Sequence, residues 1–541
     1  MPDINTVFEV FEATTLKKPR SVFHCIPSMP ERSYCPEGAE YTYQYIYESA
    51  SKLAQSYSQS NYGHGHRVGL LLENRPEFFF HYLALNSLGT SIVPINPDYR
   101  HDELVYLIGH CDAQLIITIS TRVEDMEKAA AECVRKPPVI DGSNFSVPLP
   151  QAKEAAPRLK EQPGRETECA MLYTSGTTGR PKGCVLTNEY FITSGEWYLS
   201  LGGQATMDQL GERVLNPLPL YHMNSLAVTA TAMMCSGGCL ISPDRFHPKT
   251  WWSDVVSTKA TVIHYLGVIP PLLLNLSPSA EESEHVVKFG IGAGIDPQHH
   301  AVFEERFGIP MIEVWGMTET GRILGDIDDP RQVGKRAIGR PMKGLEVRVV
   351  NEEDHDVPSG EPGELLIRFS GSDPRLGFFS GYYKNEQATR EAWQGGWFHT
   401  GDTVSRDKSG MLYFIDRNKN IIRRSGENIS AGEVEAVLQS NEGVAQAAVI
   451  GVKDDLREEE VYACVVLMPG QDSDEAAAKV LFNWCMVRLA YFKVPGYFLF
   501  REKLPTTGTQ KVQKTQIFLS DIDPRSLPEC IDFRDFKRRK L

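Results

Sequence analysis

Residues 171 to 183 read MLYTSGTTGRPKG, which holds three glycines, three threonines, a serine and, near its end, Arg180 and Lys182. Glycine lets a backbone approach a ligand closely, and exposed N–H groups with the hydroxyls of Thr174, Ser175, Thr177 and Thr178 supply donors to phosphate oxygens. Gly176 and Gly179 give the loop its freedom, and Lys182 adds a mobile point charge. A bare GTTG is an ordinary turn between strands; the full run YTSGTTGRPKG is too particular for that. A Walker-type cradle needs glycine immediately before its lysine and Ser or Thr immediately after. Here Pro181 precedes Lys182 and Gly183 follows, so that class of ATPase is excluded.

The chain also carries PLPLYH at 217–222, GAG at 292–294, VWGMTETG at 314–321, TGD at 400–402, DRNKNIIRRSGENISAGEVE at 416–435 and LPTTGTQKVQK at 504–514. Together, and in this order, these stretches resemble the motifs of the adenylate-forming (ANL) superfamily. The run RVGLLLENRPEFFFHYLALNSLGTSIVPINPDYRHDEL has the same texture, so the resemblance covers almost the whole chain. Within the superfamily it is similar to carnitine/crotonobetaine-type and fatty-acyl-CoA ligases.

The resemblance implies a chemistry for each motif. Adenylation joins a carboxylate to the α-phosphate of ATP and expels pyrophosphate, so two anions must meet and extra negative charge must be stabilised. Glu319 matches the residue that holds Mg²⁺, a hard cation preferring carboxylate oxygen, and Thr318 the hydroxyl donor to the α-phosphate. Trp315, where many relatives have Tyr, and Gly316 border the adenine, with Gly292, Ala293 and Gly294 on its other face. Asp402 matches the ribose anchor, since one carboxylate accepts from two hydroxyls, and Arg417 a second ribose or phosphate contact. His222 matches a position at the junction of acid and phosphate, with a core histidine as the alternative. Lys511 matches the lysine that neutralises both anions. The acyl pocket is expected around Met223, His264, Gly267, Ile269 and Met317.

A thiol must then reach the acyl-adenylate where that lysine stood, and the resemblance implies that a small domain rotates about a hinge at Lys419. Ser425, Gly426 and Glu427 would then line the coenzyme A tunnel. Three positions depart from the pattern: Thr506 replaces a basic residue, Gln510 a glycine before Lys511, and Asn420 an acidic residue beside the hinge. None removes a charge that the chemistry demands.

With 541 residues, 41% hydrophobic and 23% charged, the chain is long enough for several cores. Its net charge of −14 disfavours nucleic acid. Eleven cysteines without regular pairing fit a reducing cytosol, and Cys235 and Cys239 read as buried small residues, not a zinc site. His64, His66, His299 and His300 read as solvated, and the terminal KRRKL as a solvated basic end. No segment reads as an export signal or a membrane span, so the expected location is cytoplasmic.

Strands alternating with helices over 41–120 predict parallel sheets covered on both faces. The polar stretch 136–164 reads as a surface connection. After 330, LEVRVV and GELLIRF predict a β-rich subdomain; beyond Arg417 the pattern is α+β, with Ala477, Val480, Leu481 and Trp484 on one face of a helix. The expected fold is α/β: a large N-terminal AMP-binding domain, 1–416, of stacked α/β layers plus a β-rich subdomain, a hinge at 417–420, and a small mobile α+β C-terminal domain, 421–541. The expected activity is ATP- and Mg²⁺-dependent ligation of a small-molecule carboxylic acid with an apolar part to coenzyme A. Transfer to a carrier protein or amine, a luciferase-like oxidation and a non-catalytic adenylate sensor are the alternatives, and a homodimer is left open.

Overall fold

The computed structural model describes residues 4–143, 148–158, 161–174, 180–208, 211–417, 421–505, 512, 514–518 and 522–537. The chain divides into two compact units. The first comprises Met1–Pro97, Ile108–Leu172 and Gly183–Asp416; the second comprises Asp98–Leu107, Tyr173–Lys182 and Arg417–Leu541.

Three sheets make the first unit. The largest has the spatial order Leu324–Gly325, Met311–Trp315, Phe289–Ala293, Val262–Leu266, Arg213–Leu215, Cys239–Ile241, Val22–Ile26, Ala39–Thr42, with its six inner strands parallel. A second sheet runs Gly381–Tyr382, Lys182–Thr187, Glu168–Thr174, Ser91–Pro94, Arg67–Leu71, Leu115–Thr118, Val139–Asp141. The β-rich subdomain is an antiparallel sheet of Ala337–Gly339, Leu412–Arg417, Phe398–Arg406, Pro362–Phe369 and Leu345–Val350. Parallel strands buried on both faces explain the near-continuous apolar runs of the sequence.

The helix Pro76–Ser87 shows why a layer forms between the two large sheets. It is apolar nearly all round and buried from Phe78 to Asn86, as a central helix must be. Phe79 meets Phe23 edge-on at 5.0 Å, so this helix packs on the strand Val22–Ile26. Threonines cap its neighbours: Thr6 accepts from Glu9 N at 3.1 Å and Thr187 from Tyr190 N at 3.3 Å. Asn188, fully buried, then ties three elements together. Its Oδ1 accepts from Val7 N at 3.1 Å and Asn86 Nδ2 at 2.9 Å, and its Nδ2 donates to Gly164 O at 3.0 Å.

The second unit has a six-stranded sheet whose backbone is the antiparallel pair Val444–Asp454 and Glu458–Leu467. Strand alternation sends Val461, Ala463 and Val465 to one apolar cluster and Tyr462 and Cys464 to the other.

Four sequence expectations need correction. The stretch 136–164 is not simply a connection: the β-branched Val139 and Ile140 add an edge strand beside Leu115–Thr118. The helix Glu475–Arg488 buries Ala478, Leu481, Phe482 and Cys485, whereas Val480 is 60% exposed, because Phe482 stacks on Phe533 at 5.2 Å and sets the phase. His64, His66 and His300 are buried; His64 bonds Thr167 Oγ1 at 3.2 Å and His300 bonds Met311 O at 2.8 Å. In KRRKL, Lys537 is buried, with Glu460 as its partner. All eleven cysteines are free, and among the described residues no group of three or more His, Cys, Asp or Glu could hold a metal ion. No described helix is long and apolar enough to cross a membrane.

Asn188→Ala is expected to leave the buried Val7 N without this acceptor, to weaken the ties to Asn86 and Gly164, and to cost about 2 kcal/mol, read as a lower urea midpoint for the first unit.

Candidate functional site

In open parallel sheets, ligands gather outside the carboxyl ends of the strands. Four adjacent strands of the eight-stranded sheet deliver the sequence motifs to that edge: PLPLYH follows Arg213–Leu215, LGVIP ends Val262–Leu266, GAG ends Phe289–Ala293 and WGMTETG ends Met311–Trp315. Asn74, 2% exposed, holds the first loop. Its Nδ2 donates to Pro243 O at 2.9 Å, and its Oδ1 accepts from Leu220 N at 3.0 Å. This fixes the approach to His222, whose ring lies 4.5 Å from that of Tyr221.

At the GAG motif, a side chain at Gly292 would place its Cβ 2.1 Å from Tyr265 O, so only glycine fits. Gly294 has a φ of +83°. Its N–H donates to Glu313 Oε1 at 2.7 Å, while Ile295 N donates to Oε2 at 3.2 Å. Burial pushes the Glu313 carboxyl up from 4.5 to about 7. Tyr265 OH stands 3.2 Å from Glu313 Oε2 and 3.0 Å from Ile312 O. The phenol shares its proton between these two oxygens, and its bond to the carboxyl partly offsets the effect of burial.

Strand alternation puts Glu313 and Trp315 on the same side. Trp315 Nε1 donates to Asp402 Oδ2 at 2.8 Å, joining the parallel sheet to the strand Phe398–Arg406. Asp402 is fully buried. The WGMTETG turn is clamped along its length: Tyr190 OH donates to Thr318 O at 2.7 Å, Tyr382 OH to Glu319 Oε1 at 2.8 Å, Phe379 N to Glu319 O at 2.9 Å and Trp197 Nε1 to Ile323 O at 2.8 Å. Burial and the Glu319 carboxylate raise the Tyr382 phenol, which keeps it a donor. Arg322, 3% exposed, lies within 5.7 Å of the rings of Trp197, Phe369 and Phe378 and donates to Leu376 O at 2.8 Å.

Met223 is buried at the head of a π-helix, Asn224–Ala230, and Thr229 Oγ1 donates back five residues to Asn224 O at 2.9 Å. π segments often mark functional sites. His264 sits beside this helix, with Tyr198 OH 2.7 Å and Thr229 Oγ1 3.4 Å from its Nε2. Burial lowers its imidazole to about 3, so it is neutral. Its Nδ1 is buried without a hydrogen-bond partner among the described residues. Gly267 is a buried turn residue and Met317 a half-buried one. Ile269 instead joins the apolar cluster of Trp251, Ile263 and Tyr265, on the face of the strand opposite His264.

The first unit therefore brings His222, Met223, His264, Gly267, Gly292, Ala293, Gly294, Trp315, Gly316, Met317, Thr318, Glu319 and Asp402 to one edge or its supports. Thr174 ends the strand Glu168–Thr174 and Lys182 begins Lys182–Thr187. Arg417 ends the strand Leu412–Arg417. Ser425 and Gly426 form the turn between Ile421–Arg424 and Glu427–Ser430. Ser175, Gly176, Thr177, Thr178, Gly179, Lys419, Asn420, Thr506, Gln510 and Lys511 lie outside the described residues. Sequence reasoning missed Glu313, Tyr382, Tyr190, Tyr198 and Asn74. Glu313, two residues before Trp315 on a strand, was within reach of a periodicity argument.

A parallel sheet carrying glycine turns and carboxylates at its carboxyl edge defines a nucleotide-binding α/β protein. The AMP-binding enzyme model matches residues 20–383, and the AMP-binding enzyme C-terminal domain model matches 433–511. The chain belongs to this family of adenylate-forming enzymes. It is 32% identical over 498 residues to sulfoacetate–CoA ligase of Cupriavidus necator, covering 90% of this chain and 94% of that one. With crotonobetaine/carnitine–CoA ligase of Citrobacter koseri it shares 31% over 499 residues, covering 88% and 93%. The fold matches o-succinylbenzoate CoA synthetase of Bacillus subtilis with a TM-score of 0.79 at 23% identity, over 95% of this chain and 98% of that one.

Two outcomes are expected. Trp315→Phe removes the donor to Asp402 and should raise the KM for ATP about tenfold, the loss of one charge-assisted bond. Glu313 binds its proton more tightly folded than unfolded, so its stabilisation, complete below pH 4.5, is lost as pH rises to about 7. The wild-type stability profile should fall over that window relative to Glu313→Gln, by about 3 kcal/mol in total.

Proposed function

We infer that the protein is an ATP-dependent, AMP-forming acyl-CoA ligase, which activates a carboxylic acid as acyl-AMP with release of pyrophosphate and passes the acyl group to coenzyme A. The observation that carries this reading is the convergence of the GAG turn, Trp315, Thr318 and Glu319 on one sheet edge, with Asp402 bonded to Trp315. Asp402, oriented by the indole, accepts from ribose hydroxyls. Gly292 and Gly294 shape the turn beside which the base would lie. Thr318 donates to the α-phosphate and His222 orients the acid.

Glu319 is the residue that would hold Mg²⁺. A hard cation suits a carboxylate that is 5% exposed and has one oxygen already fixed by Tyr382. When bound, the ion offsets phosphate charge. The phosphate loop from Thr174 to Lys182, Arg417 and Lys511 take the roles their motifs imply, and 417–420 acts as the hinge between a 1–416 domain and a 421–541 domain. Ser425, Gly426 and Glu427 border the thiol path. The relatives are named for small acids that carry a second charged group. Buried polar groups at His264, Tyr198, Thr229 and Asn216 support an acid whose remainder likewise makes hydrogen bonds.

A panel of carboxylic acids, scored for AMP, pyrophosphate and thioester with and without coenzyme A, tests the reading. Pyrophosphate release should require an acid, thioester should require coenzyme A, and Lys511→Ala should slow adenylation at least a hundredfold. Release of pyrophosphate without thioester, but with amide when an amine is supplied, would replace coenzyme A as the acceptor. No acid-dependent turnover would leave a nucleotide sensor.

A further inference from the structure

The KRRKL end does not behave as a solvated tail. Lys537 is fully buried within the second unit and its Nζ donates to Glu460 Oε1. Glu460, also fully buried, accepts on its other oxygen from Arg424 Nε at 2.8 Å, and its Oε1 takes a further bond from Val461 N at 2.8 Å. One carboxylate thus collects donors from three segments: the strand Ile421–Arg424, its own strand and the final helical turn before 538.

The segment that delivers Lys537 is built in along its length. Ile531–Asp532 pairs with Tyr497–Phe500, and Phe533 N donates to Gly496 O at 2.8 Å. Phe533, 2% exposed, stacks on Phe482. Tyr462 OH donates to Pro524 O at 3.1 Å, and Arg525 Nη1 to Lys453 O at 2.6 Å. This segment lies beyond the residues matched by the family's C-terminal model, which end at 511.

At the other end of the triad, Arg424 opens a two-residue hairpin turn. Ser425 has a φ of +51° and Gly426 +85°, the pair of positive values that a type I′ turn requires. A serine there is strained, so surrounding contacts must hold it. Two do: Ser425 N donates to Arg457 O at 3.1 Å, and Arg424 is fixed by Glu460.

We propose that Lys537 is a positioning residue for the thiol-accepting step, and that the segment 522–537 acts through Glu460 and Arg424 to set the Ser425–Gly426 turn. This rests on the assignment of that turn to the coenzyme A path. Charge counting separates it from a purely structural role. Burial and the neighbouring Arg424 lower the Lys537 ammonium to about 7, and Arg424 is itself paired with Glu460, so removing Lys537 leaves a balanced Arg424–Glu460 pair, unlike the usual broken buried ion pair. The fold is expected to survive this change, while Glu460 keeps Arg424 and Val461 N but loses the donor that ties it to the segment 522–537.

In the full-length protein, Lys537→Met should raise the KM for coenzyme A at least fivefold while acid-dependent ATP–pyrophosphate exchange stays within twofold. Backbone amide exchange at 425–427 should quicken about tenfold, and Lys537→Gln, which keeps a donor, should recover most of both effects. Gly426→Ala, which strains the turn directly, controls for the assignment. If Gly426→Ala raises the KM for coenzyme A and folded Lys537→Met does not, the brace is wrong; if neither does, the turn assignment and the proposal fall together. Equal loss of both half-reactions, or unchanged amide exchange, also overturns it. Should Lys537→Met not fold, Lys537→Leu, which likewise has no donor, is read by the same criteria.

Discussion

The indole N–H of Trp315, given to Asp402 at 2.8 Å, is a bond between two sheets. It fastens a carboxylate of the antiparallel subdomain to the carboxyl edge of the parallel sheet, and each side needs it. Asp402 is fully buried and must find donors; Trp315 is 3% exposed and must place its N–H. A nucleotide spanning base and ribose touches both residues at once under the proposed reading, so the bond fixes the distance that the ligand has to match.

The same device recurs around the site. Glu313, Glu319 and Asp402 are all nearly or fully buried, and each faces an aromatic polar group: Tyr265, Tyr382 and Trp315. Rings of this kind have two side-chain torsions and are held by packing, so they aim a donor at little entropic cost. Carboxylates oriented before any ligand arrives need no reorganisation when charge develops, which is where such sites gain most of their rate. Backbone glycine does the complementary work: at Gly292 the chain passes so close to Tyr265 O that side-chain volume is impossible.

Much of this was readable from sequence because the chemistry is local. Hydroxyls, glycines and a carboxylate within eight residues identify WGMTETG, and alternating apolar runs identify the strands that carry it. What escaped depends on contacts between distant positions. Tyr382 is a tyrosine in a polar loop until it is found 63 residues from its partner Glu319. Lys537 in a basic run reads as solvated because a lysine's burial is decided by its counter-charge, here 77 residues upstream at Glu460. The phase of the helix Glu475–Arg488 slipped for a related reason: Ala and Val suit either of two adjacent faces, and Phe533 of the terminal segment selects between them.

The π-helix at Asn224–Ala230 fits about one more residue into its turns than an α-helix would. Its surplus is absorbed between His222 and Thr231, where neither end is free to shift: the PLPLYH loop is pinned by Asn74 and the following turns pack on the helix Asn188–Leu199. Because both ends are held, the deletion of one residue there would be absorbed by relaxing the wide turn to α, with the flanking segments kept in place. The wide turn is therefore a built-in length adjuster, at which a one-codon change rather than a substitution would re-aim the side chains of Asn224–Ala230 alone.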